Sequence, residues 1–160
     1  MSAPRQGFRL LALWFALSLA VVCATPVWSS LSPPIVTDPQ TGLAIDGFDP
    51  VAYFAGEAAT QGKAEYEDQY GGVTWRFRNE GNRAAFSDHP EVYAPQFGGY
   101  DPIAIARGVS VPGHPLIWAI VEQRLYFFYD KKARAEFIES PASSIAAAQR
   151  HWPRVSRTLP

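Results

Sequence analysis

The sequence predicts an α+β fold, a small antiparallel sheet of two hairpins with several short helices packed against it. Three observations carry this. Gly71-Gly72 separates two strand-like arms, residues 65–70 and 73–78. A second pair of apolar arms, residues 117–121 and 125–129, flanks Glu122-Gln123-Arg124. Helix-start signals recur between and after them: Asp49-Pro50, Asn79, Asp101-Pro102 and Asp130.

In chain order, residues 1–29 read as a signal peptide or N-terminal anchor. Arg5 and Arg9 precede an apolar run over residues 10–24, shorter than the roughly 20 residues that comfortably span a bilayer. Small residues at Ala24 and Ser29 suit cleavage. This places the protein in the periplasm or outside the cell, with membrane anchoring as the alternative if the segment stays uncleaved. Residues 30–41 hold Pro33, Pro34 and Pro39 and read as a Pro-rich linker. The domain spans residues 42–153, and residues 154–160 form a polar tail.

Within the domain, Asp49-Pro50 opens a short helix that Gly56 ends. In the first hairpin Val73, Trp75 and Phe77 share one strand face, and Thr74, Arg76 and Arg78 the other. That second face reads as solvated, with Glu65 or Glu67 across the hairpin as partner. Asn79 caps a helix over residues 80–88, which Pro90 stops. Asp101 or Pro102 opens a helix through Ala106, closed by Gly108. Asp130 caps a helix with Ala133, Phe137 and Ile138 on one stripe; Pro141 breaks it. A last helix covers residues 142–151, and Trp152-Pro153 closes the domain. No internal repeat is read.

Composition narrows function. Hydrophobic residues are 48%, aromatic 14% and charged 18%, as in an aromatic-rich globular domain. Removing residues 1–29 leaves 12 basic residues against 15 acidic, a charge of about −3. That is no basic footprint for nucleic acid. Cys23, the one cysteine, falls in the apolar run, so the exported body has neither a disulfide nor a thiolate metal site. No serine sits in a nucleophile elbow and no glycine loop has phosphate-binding context, so the expectation is a noncatalytic protein.

The most distinctive stretch is Tyr93-Ala94-Pro95-Gln96-Phe97-Gly98-Gly99-Tyr100-Asp101. Paired glycines let a backbone approach a ligand, and Tyr93, Phe97 and Tyr100 supply rings to line it. The binding wall is expected at Tyr93, Gln96, Gly98, Gly99, Tyr100 and Asp101, with Gln96 and Asp101 as polar contacts. The competing reading has the rings completing the core and Asp101 capping a helix.

Gly47-Phe48-Asp49-Pro50-Val51-Ala52-Tyr53-Phe54, Trp75-Arg76-Phe77-Arg78, His89-Pro90-Glu91 and Pro95-Gln96-Phe97-Gly98-Gly99-Tyr100, in this order and spacing, resemble the exported YHS-domain proteins of bacteria. The resemblance covers residues 42–153. It implies a YHS-like binding domain that recognises a small ligand or a protein partner. The wider class is associated with metal handling, and its metal-linked members use cysteines; Asp101, Asn79 and Asn82 stand at those places here. The alternative is therefore a metal-binding or metal-trafficking protein in which Asp101 and His114 hold a transition metal.

Overall fold

The structure, a computed structural model, describes residues 34–56 and 58–159. The expected signal segment and its cleavage sites lie outside them. Among the described residues, no helix is long and apolar enough to cross a membrane.

The fold is α+β. Strand β1 (Lys63–Tyr70) pairs antiparallel with β2 (Val73–Phe77), and β3 (His114–Val121) with β4 (Arg124–Phe128). Helices α1 (Glu80–Asp88) and α2 (Pro90–Tyr93) follow the first hairpin. Helix α3 (Pro102–Ala106) precedes the second, and α4 (Lys131–Glu139) and α5 (Pro141–Val155) follow it. The caps are as the sequence suggests: Asn79 accepts from the Asn82 N–H, Asp130 from that of Ala133, and Asp101 opens α3.

The hairpins form two separate two-stranded sheets and meet through side chains. Alternation along β4 explains this. Leu125 and Phe127 join Trp75, Phe77 and Phe86 in one buried cluster. Tyr126 and Phe128 point the other way, into a second cluster with Ile103 and Phe137. Strand β4 is thus buried on both faces, which is why Leu125-Tyr126-Phe127-Phe128 is a continuous apolar run.

The sequence reading of no internal repeat is corrected. The two halves are built alike at an offset of 51–52 residues. Asp49 and Asp101 are both buried. The Asp49 N–H donates to the Thr60 carbonyl at 2.8 Å, and the Asp101 N–H to that of Val111 at 2.9 Å. Gly62 donates to the Gly47 carbonyl at 2.9 Å, and Gly113 to that of Gly99 at 3.0 Å. Both hairpins carry a register shift near their start, between Lys63 and Glu67 and between His114 and Trp118. Ring packing repeats as well. Phe86 lies 4.9 Å from Trp75 and 5.1 Å from Phe77; Phe137 lies 4.9 Å from Tyr126 and 5.0 Å from Phe128. The signal was present in Gly47-Phe48-Asp49-Pro50-Val51-Ala52 against Gly99-Tyr100-Asp101-Pro102-Ile103-Ala104. Outer-face residues conceal it: Thr74 and Arg76 face outward, whereas their equivalents Leu125 and Phe127 face the first half's core.

Both ends of the domain extend past the expected limits of 42 and 153. The Val36 N–H donates to the Gly98 carbonyl at 2.8 Å, and the Ile45 N–H to the Val36 carbonyl at 3.0 Å. Residues 34–36 therefore belong to the packed body. At the other end, α5 continues through Pro153 to the buried Val155.

Candidate functional site

The six residues of the expected binding wall divide between the frame and a groove. Tyr93 packs edge-on against Phe54, centroids 5.3 Å apart, beside the larger core. Gly98 (φ +63°) and Gly99 (φ +90°) are buried. Their close neighbours are the protein's own: a Cβ on Gly98 would collide with the Pro34 carbonyl, and one on Gly99 would touch Val36, Phe127 and Pro95. Tyr100 lies against Trp152, centroids 6.1 Å apart, and burial pushes its hydroxyl pKa up.

Asp101 serves the frame. Its Oδ1 accepts from the N–H groups of Ile103 (2.8 Å) and Ala104 (3.4 Å), and its Oδ2 from that of Tyr129 (2.9 Å). It borders a cleft of about 280 Å³ between α3 and α4, but the oxygens are committed to backbone. The ion pair of Arg107 and Glu136 (2.7 Å) lies at that cleft.

These positions do not fit a resident metal. Exposed His114 accepts through Nδ1 from the Leu116 N–H at 3.1 Å. Asp101 has three backbone donors on its two oxygens. Among the described residues there is no group of three or more His, Cys, Asp or Glu side chains able to hold a metal ion. Asn79 and Asn82, the other places where the resemblance puts thiols, are also structural. Asn79 caps α1, and Asn82 donates to Asp49 Oδ2 at 2.6 Å. Arg76 pairs with Glu67 across the first hairpin at 2.8 Å, and the Arg78 backbone N–H donates to Asp49 Oδ2 at 2.8 Å.

The remaining member, Gln96, lines a groove of about 340 Å³ at the seam between the halves, which Gly98 also borders. The inter-half loop supplies Pro95, Gln96 and Phe97; the end of β1 supplies Tyr70; α2 supplies Glu91; α5 supplies Gln149 and Trp152; Ile35 completes it. The loop turns through left-handed backbone, with Phe97 itself at φ +54°. Phe97 stands edge-on to Trp152 at 5.7 Å. The amides of Gln96 and Gln149, the Tyr70 hydroxyl and the Trp152 indole N–H have no hydrogen-bond partner among the described residues. Exposed Glu91 lies 3.4 Å from His89 Nδ1. The groove can thus offer aromatic surface, amide donors and acceptors, and one carboxylate. Tyr70, Gln149 and Trp152 come from distant elements, and no local spacing in the sequence joins them to the loop.

No family model matches this chain, and neither the curated proteins nor the solved structures compared with it give a match.

Proposed function

We propose that the protein is an exported, noncatalytic YHS-like domain that binds a small ligand in the seam groove. The observation that carries this reading is the convergence of Phe97, Trp152 and Tyr70 with the Gln96 and Gln149 amides in one groove. Apolar walls with a few converging polar groups are the usual make-up of a ligand site. The chemistry favours a planar or apolar ligand bearing amide or hydroxyl groups, neutral or cationic beside Glu91. Catalysis is not part of the proposal, because the groove lining contains no nucleophile paired with a base.

The experiment is a thermal-shift screen of the full chain with small aromatic amides and amines. The expected result is a concentration-dependent rise in Tm that Gln149→Ala and Trp152→Leu abolish. Rises that survive both substitutions would overturn the reading. So would a rise given only by transition-metal salts and lost in His114→Ala.

A further inference from the structure

The two-copy architecture allows each surface of one half to be compared with its equivalent in the other. Between β3 and α4 runs a groove of about 510 Å³ lined by Leu116, Ile117, Trp118, Ile120 and Ile138, with Lys131 and Arg134 as its charged residues. Leu116 is 59% exposed and Ile138 45%. In the first half the corresponding places hold Glu65, Tyr66, Glu67, Gln69 and Ser87, with Glu80 in place of Lys131. That surface satisfies its own polar groups: Ser87 donates to Asp68, and Arg83 pairs with Glu80 at 2.5 Å. The fold therefore does not require apolar residues here.

Two further features say what would cover this face. Among the described residues strand β3 pairs with β4 alone, so one of its edges carries no partner strand. The charge in the lining is wholly basic: Lys131 and Arg134 form no ion pair among the described residues, and Arg134 is oriented by donating through Nε to the Trp118 carbonyl at 2.7 Å. A second copy presenting the same face would bring like charges together.

We propose that the β3–α4 face docks an extended segment of another protein that alternates acidic and apolar residues. The apolar side chains enter between Leu116 and Ile138, and the carboxylates meet Lys131 and Arg134. This site is separate from the seam groove and does not depend on it.

The test is fluorescence anisotropy of a labelled peptide alternating Glu and Val, titrated with the full chain. A peptide alternating Lys and Val and vesicles of phosphatidylglycerol are run beside it. Saturable binding of the acidic peptide is expected, weakened by added salt. Lys131→Glu and Ile138→Glu should each weaken it about tenfold or more, a difference of about 1.4 kcal/mol. Both side chains are on the surface, and Glu65→Lys on the equivalent face should leave binding unchanged. Failure of the acidic peptide to bind, or equal binding of the basic one, would overturn the proposal. Vesicle binding lost in the same variants without peptide binding would identify the face as a membrane contact instead.

Discussion

Asp49 and Asp101 do the same work in the two halves of the molecule. Asp49 Oδ1 accepts from the N–H groups of Val51 (2.8 Å) and Ala52 (3.3 Å), and Asp101 Oδ1 from those of Ile103 and Ala104. Each Oδ2 then ties that turn to the end of its hairpin, through the Arg78 N–H in one half and the Tyr129 N–H in the other. A buried carboxylate with three or more donors is a structural tie, with little lone-pair capacity left for a ligand.

Replacing either aspartate by alanine should leave buried N–H groups without partners and destabilise the protein by about 3 kcal/mol. Urea unfolding followed by circular dichroism measures this. Similar losses for Asp49→Ala and Asp101→Ala would support the common role. A stable Asp101→Ala protein with altered metal binding would return Asp101 to the ligand role.

Gly62 and Gly113 make the second paired prediction. A Cβ on Gly62 would collide with the backbone of Arg76, and one on Gly113 would come within 2.5 Å of the Phe127 Cβ. Alanine at either should cost about 2 kcal/mol or more, since packed strand backbone cannot give way cheaply. Gly72→Ala is the control: its φ is +82° but nothing lies within 4 Å, so about 1 kcal/mol is expected. Chemical denaturation of the three variants gives the order directly.

Tyr53 predicts a limit at alkaline pH. It is 1% exposed, and its hydroxyl donates to the Pro115 carbonyl at 3.0 Å. Burial raises its pKa well above the ordinary tyrosine value, and the charges of Asp46 and Asp49 push the same way. In the unfolded chain the phenol ionises near pH 10. Above that pH the unfolded state binds fewer protons than the folded one, so stability falls as pH rises; below it this group changes nothing. The slope from Tyr53 should approach about 1.4 kcal/mol per pH unit above pH 10. Denaturation at pH 8, 10 and 11 checks it, and Tyr53→Phe should flatten the decline.

Local chemistry made much of this fold legible before any coordinates. Asn79 and Asp130 announce their helices because capping needs only a side-chain oxygen and the next turn. Gly71-Gly72 marks a hairpin for the same local reason. Glu122 and Gln123 make the second turn with φ +50° and +56°, less obvious because neither is glycine. What was not legible depends on distance. That Leu125 and Phe127 face a different core from Tyr126 and Phe128 follows from which elements cover β4, and nothing in residues 124–128 states it. The site divided in the same way. The loop around Gln96 and Gly98 was visible, but the reason for Gly98 is Pro34, and the other groove walls come from Tyr70 and α5.

The groove reading makes a mutational prediction of its own. Trp152→Ala removes a ring that touches both Phe97 and Tyr100, and should cost about 2 kcal/mol in stability as well as ligand binding. Gln149→Ala removes only an exposed amide, and should reduce binding with stability within about 0.5 kcal/mol of the parent. Calorimetric titration at a temperature where both variants are folded separates the two effects.

The most direct test of the seam groove is a map of backbone amide shifts in nitrogen–proton correlation spectra while the best ligand from the thermal-shift screen is added. The account predicts shifts gathered at residues 70, 91, 96–98, 149 and 152, absent in Gln149→Ala at the same concentration. Shifts gathered instead on residues 101–111 and 129–136, or unchanged by that substitution, would contradict it.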